Sequence, residues 1–371
     1  MAAADGSTIG LSLSGGGFRA TLFGLGSLMR LNDALLLQRL DRITSVSGGS
    51  ILAGLLAKKW ENLHFVDSVA NNFVKEIVEP IQKFCAETAD IEAGILGWIT
   101  PFRSAGDYLE RHYREKLCGE VTIKDLPKRK LNQVPLFVFY ATNMQTGRSF
   151  RFRQDMIADY LLGVNAVANP ALSLAVTASS AFPPIFSPLC LETNAEDWSE
   201  AKFDGDIDLL KRLRNKIVLA DGGIYDNIGL ESLNEDIKLV SDAGAPFELE
   251  EAPKSDYYSQ LGRVRDILID QSRALRKRQL IDDFEHGRVR GAYWGIGTSI
   301  AGFPTTVKLA SDSTITQSLE KLPTRLAAVP KDQQGQLINW GYSLADAALR
   351  SRAKLSIPKS AGLPFPEFAV D

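Results

Sequence analysis

The stretch Ile43-Thr44-Ser45-Val46-Ser47-Gly48-Gly49-Ser50, followed by the apolar run Ile51-Leu52-Ala53-Gly54-Leu55-Leu56-Ala57, limits what the rest of the chain can build. It predicts a short strand, a very tight turn at Ser47, and a helix. A serine on such a turn is pushed out of the backbone into the open. Its neighbours must be small because the flanking backbone almost collides. Gly49 supplies one small neighbour and Ser45 the other. The same letters also describe a Ser/Gly-rich loop between strand and helix, so a nucleophile at Ser47 needs support from elsewhere.

One supporting stretch lies upstream. Thr8-Ile9-Gly10-Leu11-Ser12-Leu13 has the composition of a buried strand and runs into Ser14-Gly15-Gly16-Gly17-Phe18-Arg19-Ala20, after which Leu22, Leu25, Leu28 and Met29 recur at helical spacing. Strand, glycine loop and helix together aim several backbone N–H groups at one anion. A Walker-type loop would need Gly-Lys-Ser/Thr, which Phe18-Arg19-Ala20 does not provide. A dinucleotide fingerprint is formally matched by Gly15, Gly17 and Ala20, but it wants an acidic residue closing the second strand about 20 residues on. Asp41 precedes that strand instead. An oxyanion hole fits better, because the next strand delivers a candidate nucleophile.

The other supporting stretch lies downstream. Ile217-Val218-Leu219-Ala220 reads as a buried strand ending in Asp221-Gly222-Gly223. A carboxylate at a strand end, with glycines leaving room around it, is well placed to meet Ser47, since ligands of parallel α/β sheets bind at the strands' carboxyl ends. An ordinary Asp-Gly turn is the alternative.

Between these landmarks, residues 58–115 are expected to be mostly helical and amphipathic, with Phe65, Val69, Phe73, Ile77 and Val78 on the apolar side. Residues 95–102 are apolar and turn-bearing, either core or a lip that dips into an interface. Residues 134–142 read as a strand that turns back to 149–152, and 192–215 as a polar surface excursion. Leu172–Ala181 reads as a helix of small residues stopped by Pro183 and Pro184. Lys238–Ala243 reads as a further strand. Residues 257–285 predict a long helix made locally basic by Arg263, Arg265, Arg273, Arg276, Lys277 and Arg278.

Gly15-Gly16-Gly17-Phe18-Arg19, Ser45-Val46-Ser47-Gly48-Gly49 and Asp221-Gly222-Gly223, in this order, resemble the motifs of the patatin-like phospholipases, which share active-site logic with cytosolic phospholipase A2. Ala178–Pro184 is similar to the family's small-residue helix before a Pro-Pro turn. Ser45 departs from the usual glycine. The resemblance covers about residues 8–245 and implies a three-layer α/β/α sandwich with a mostly parallel central sheet. It also implies a lipid acyl hydrolase with a Ser47–Asp221 dyad. Gly15, Gly16 and Gly17 would hold the oxyanion, with Arg19 either anchoring that loop or facing the phosphate, and Gly49, Gly222 and Gly223 supporting the turns. Some free-standing bacterial relatives that resemble this chain in size are switched on by cyclic nucleotides in anti-phage defence. No residue marks an activator site here, although the basic helix would suit one.

Two other functions compete. An α/β-hydrolase triad has the order Ser, Asp, His, and His286 does follow Asp221, whereas His64 and His112 precede it. A dinucleotide-binding module is the other. The 371 residues suggest one domain, 1–371, whose segment 246–371 is a helical completion without an assigned motif. A net charge of −3 gives no reason to expect general nucleic-acid binding. Cys85, Cys118 and Cys190 are too few and too scattered for a disulfide framework or a zinc site, which points to a reducing compartment and no metal or other cofactor. Met1–Gly6 does not read as a signal peptide, and no uncharged apolar stretch reaches the ~18 residues that span a bilayer. A cytoplasmic protein peripheral to a phospholipid surface is the expectation, with oligomeric state left open.

Overall fold

The computed structural model describes residues 6–89 and 105–371, so the apolar stretch 95–102 lies outside the described residues. Along the chain run β1 (Ile9–Leu13), α1 (Gly17–Asp33), β2 (Arg42–Val46), α2 (Gly48–Lys59), α3 (Ala105–Tyr113), β3 (Leu136–Asn143), β4 (Arg148–Arg153), β5 (Ile157–Asp159) and β6 (Gly163–Asn165). Then follow α4 (Leu172–Ser180), β7 (Leu189–Glu192), β8 (Trp198–Ser199), β9 (Lys216–Asp221), β10 (Ile237–Asp242), α5 (Tyr257–Glu285), β11 (Arg290–Gly295) and α6 (Lys331–Ser351), with shorter elements between. The strands form one sheet in the order β8-β6-β5-β4-β3-β2-β1-β10-β11, and β9 and β7 attach beside β3. Its core, from β3 to β11, is parallel.

Alternation along β1 divides the interior. Ile9, Leu11 and Leu13 enter the large core shared with α1, α2, α4 and α6. Gly10 and Ser12 face the other side, where the Ser12 hydroxyl donates to the Ile228 carbonyl. On that second side Leu280 of α5 packs with Ile228, Leu233, Val240 and Tyr293. Helices therefore cover both faces, the three-layer arrangement expected, and each fully buried leucine or phenylalanine contributes about 1.5–3 kcal/mol.

Helix α1 is buried nearly all round because α6 crosses its outer face. The crossing is a backbone contact: a Cβ on Gly26 would lie 1.9 Å from the Ile338 carbonyl oxygen, and one on Gly341 2.0 Å from that of Phe23. The buried pair Arg30–Asp346, at 2.7 Å, ties the same two helices together.

Two local expectations need correction. Phe65 and Val69 lie not on a helix but in a two-stranded ribbon, Phe65–Val66 with Val69–Ala70. Its turn residues Asp67 and Ser68 both have positive φ, the geometry that matches strand twist in a two-residue hairpin. The segment 246–371 is not the wholly helical completion expected, since Arg290-Gly291-Ala292-Tyr293-Trp294-Gly295 forms β11 on the sheet edge beside β10. Gly291 is needed there because its φ is 148° and a Cβ would meet the Lys238 carbonyl at 1.9 Å.

Candidate active site

Ser47 and Asp221 meet because two strands share one edge of β3. β2 runs parallel to the first part of β3 and ends with Val46 opposite Tyr140. β9 runs antiparallel to the last part, with Asp221 opposite Ala141 and Leu219 opposite Asn143. β4 occupies β3's other edge over the same residues. β2 and β9 therefore approach each other head-on, and their last side chains face across the gap. The carboxylate does not arrive on a parallel strand as expected; it comes from the opposite direction to the same place.

Ser47 has φ 50° and ψ −121°, a strained conformation for a residue with a Cβ. The surroundings enforce it. A Cβ on Gly48 would lie 2.0 Å from the Gly17 carbonyl oxygen, and one on Gly49 2.4 Å from that of Leu13, so both positions admit only glycine. The Ser47 N–H donates to Ser179 Oγ at 2.9 Å. Ser179 Oγ in turn shares a 2.8 Å hydrogen bond with Ser50 Oγ, which donates to Ser45 Oγ at 2.9 Å. Ser45, the departure from the family's glycine, thus takes part in a buried hydroxyl chain and does not merely crowd the turn.

Asp221 is 2% exposed. Its backbone N–H donates to the Ala181 carbonyl at 3.0 Å, its carbonyl accepts from Thr142 Oγ1 at 2.8 Å, and its Oδ1 accepts the Gly223 N–H at 2.7 Å. The Ser47 hydroxyl is close enough to favour its ionised form. Burial pushes its pKa up to about 7, against the smaller pull of the Gly223 N–H and the Ser47 hydroxyl toward ionisation. Gly222 lets this turn press on β3: a Cβ there would lie 2.4 Å from the Tyr140 carbonyl oxygen.

The glycine loop packs against the Ser47 turn, where a Cβ on Gly15 would lie 3.2 Å from Ser47 Cβ. Gly16 and Gly17 have φ of 143° and 60°, which glycine adopts freely. The Gly15 N–H donates to the Asn227 carbonyl and the Phe18 N–H to the Arg325 carbonyl, both at 3.0 Å. The Gly16 and Gly17 amides have no hydrogen-bond partner among the described residues. Of the three glycines read as oxyanion donors, these two are open and Gly15 is occupied. Arg19 does not face the opening. Its guanidinium is buried and donates from Nε to the Ala243 carbonyl at 2.9 Å, from NH1 to the Leu322 carbonyl, and from NH2 to Thr324 Oγ1 at 2.9 Å. Of the two roles read for it, the structure gives the anchor. Burial, with nearby Arg273, lowers its pKa to about 10.

The other candidates lie elsewhere. His286 caps α5 with its ring 62% exposed and Nδ1 against Asp282. His64 is exposed, and the His112 ring packs against Phe84 and Tyr113. Asp41 is buried at the strands' other end, where its Oδ2 accepts the Ile9 N–H at 2.8 Å. Among the described residues no three His, Cys, Asp or Glu side chains gather as a metal site requires. Sequence reading missed Ser179, Ser50 and Asn227, although Ser179 lies within the small-residue helix that carried part of the resemblance.

A model of the family described as patatin-like phospholipase matches residues 11–234. No curated protein matches the chain. Among solved structures, human GIVD cytosolic phospholipase A2 is 12% identical with a TM-score of 0.42, over 65% of this chain and 44% of that one. VipD from Legionella pneumophila is 15% identical with a TM-score of 0.39, over 95% of this chain and 68% of that one. The chain thus spans less than half of the human enzyme it matches. With the family model covering the glycine loop, the Ser47 turn and Asp221, this chain belongs to the patatin-like phospholipase family.

Proposed function

We propose that this protein is a lipid acyl hydrolase that cleaves phospholipid esters with Ser47 as nucleophile and Asp221 as its base. The observation that carries the reading is a buried carboxyl, its pKa raised to about 7, beside the hydroxyl of a serine on a strained turn. A group poised near neutrality can both take and return a proton. Ser47 Oγ attacks the ester carbonyl as its proton passes to Asp221. The carbonyl oxygen becomes an oxyanion, and the open N–H groups of Gly16 and Gly17 are placed to stabilise it; such donors are each worth roughly 2.7–4 kcal/mol. Collapse expels the lipid alkoxide, which takes the proton from Asp221. Water then attacks the acyl-serine, gives its proton to Asp221, and Ser47 leaves with that proton as the fatty acid departs.

Family membership supports a lipid ester as substrate. Contact with a lipid surface is supported by the outer face of α5, which exposes Tyr257, Tyr258, Leu261, Val264, Leu268 and Leu275. A cyclic-nucleotide activator is not part of the proposal. Arg263, Arg265, Arg273 and Arg276 of the basic helix each face a carboxylate of this chain.

The test is hydrolysis of mixed-chain phospholipids and of a soluble short-chain ester. Ser47→Ala and Asp221→Ala should each abolish both activities in a folded protein, and the double variant should be little worse because the residues act as a unit. A serine-directed phosphonate should label Ser47. Replacing His64, His112 or His286 singly should leave most activity, and chelators should not slow the chemical step. Loss of activity in folded His286→Ala as complete as in Ser47→Ala would replace the dyad with a triad.

A further inference from the structure

The glycine loop rests on the end of β10. The Ser14 N–H donates to the Ser241 carbonyl at 3.1 Å, the Ala243 N–H donates back to Ser14 Oγ at 2.8 Å, and Arg19 Nε donates to the Ala243 carbonyl at 2.9 Å. The fit is tight, because a Cβ on Gly16 would lie 2.8 Å from that same carbonyl oxygen. The backbone of 241–243 is therefore the surface against which Gly16 and Gly17 are shaped.

That surface is itself held from α5. Asp242 is fully buried, its Oδ1 accepting the Gly244 N–H at 2.8 Å. Its Oδ2 accepts from Arg273 Nε at 3.2 Å, Arg273 NH2 at 2.9 Å and Tyr293 Oη at 2.8 Å. The same guanidinium donates to the Ala245 carbonyl at 2.7 Å and the Gly244 carbonyl at 3.1 Å. One planar fork thus fixes both the carboxylate and the two carbonyls that follow it, a geometry lysine cannot reproduce. Asp242 also balances two buried guanidiniums, since Arg19 and Arg273 disfavour each other's charge and Asp242 favours both.

We propose that Arg273, with Asp242 and Tyr293, is a positioning residue for the oxyanion hole: α5 sets the 241–245 turn, and the turn aims the Gly16 and Gly17 amides. This rests on the hydrolase reading above and gives α5, to which no sequence motif could be assigned, a part in the reaction without contact with the reacting atoms.

The test is steady-state kinetics on a soluble ester with Arg273→Lys, which keeps the charge and loses the fork. In a protein whose thermal melt stays cooperative, kcat should fall roughly 10- to 100-fold, less than the loss of a donor outright, because the amides remain but are misaimed. KM should stay within about twofold and the midpoint of the rate's rise with pH should not move, since Asp221 is untouched. Methylguanidinium should restore part of the kcat of Arg273→Ala. Tyr293→Phe, a milder change, should show the same split at smaller amplitude and serves if the arginine variants fold poorly. Arg263→Ala, on the same helix but paired with Glu250, is the control that should change nothing. Wild-type kcat in folded Arg273→Lys, or activity that falls only in step with the folded fraction, overturns the proposal while leaving the dyad standing. Retained activity in Ser47→Ala would instead remove the Ser47 nucleophile, and no ester hydrolysis by the wild type would remove the hydrolase reading.

Discussion

Burial holds Asp221 near pKa 7, with opposite consequences for turnover and for stability. As the proposed base it must be ionised, so kcat/KM should rise with pH through about 7 and level off above it. For stability the direction reverses. Between about 4, where an unfolded aspartate titrates, and about 7 the folded chain keeps a proton that the unfolded chain has lost. Raising pH through that window therefore lowers stability. Asp221→Asn removes the penalty, so the variant should melt at higher temperature than wild type at pH 8, with the gain shrinking toward pH 5. Thermal melts at both values decide it: an equal shift at each would mean that the carboxyl is not held neutral by the fold. Ser47 and Asp221 could be singled out from sequence because a tight turn admits few residues and leaves a signature. The environment that tunes Asp221 could not, since it is assembled from Ala181, Thr142 and the packing of α4, all distant along the chain.

The elbow after β2 is held less by its own residues than by α4. Ser179 Oγ accepts the buried Ser47 N–H and joins the hydroxyl chain through Ser50 to Ser45, while the Ser179 carbonyl accepts the Gly222 N–H at 3.1 Å. One residue therefore braces both halves of the site. Ser179→Ala leaves the Ser47 N–H without its acceptor, a cost of about 1–3 kcal/mol. The variant should be destabilised by that amount in denaturant titration and should also lose turnover, because the strained φ of Ser47 is no longer enforced. Full kcat in a destabilised Ser179→Ala would show that the elbow keeps its shape unaided. Sequence patterning reached the elements around this brace well: the long helix 257–285 is found as read, and so are the strands that deliver Ser47 and Asp221. It could not reach β9's direction, which depends on which half of β3 is left uncovered by β2. Nor could it reach β11 or the role of α5, where Asp242 and Arg273 look like unremarkable charges until the fold brings them together.

If the protein hydrolyses lipid as proposed, the place where α5 lies bears on how lipid reaches Ser47. The Arg265 guanidinium stacks on the Phe182 ring at 5.3 Å, beside the turn that follows α4, and Ser272 Oγ donates to the Tyr225 carbonyl at 3.3 Å, on the turn that follows Asp221. The helix therefore runs next to the turns that follow α4 and Asp221. Its outward residues Tyr257, Leu261, Val264, Leu268 and Leu275 are spaced four, three, four and seven apart, so they share one exposed face, and Leu268 is 65% exposed. Such a face suits a helix lying in the headgroup region with its apolar side down. Leu261→Glu with Leu268→Glu should leave the fold intact, since both side chains point outward. Each lost leucine contact amounts to about 1.4 kcal/mol if roughly half of its burial is recovered at the interface. The pair should therefore weaken vesicle binding by about two orders of magnitude. Vesicle sedimentation reads that loss directly, and hydrolysis of vesicle lipid should fall in step while a soluble short-chain ester is cleaved as before. If vesicle binding holds and a dimer seen by size-exclusion chromatography becomes a monomer, the stripe is a seam between two copies and lipid must enter by another face.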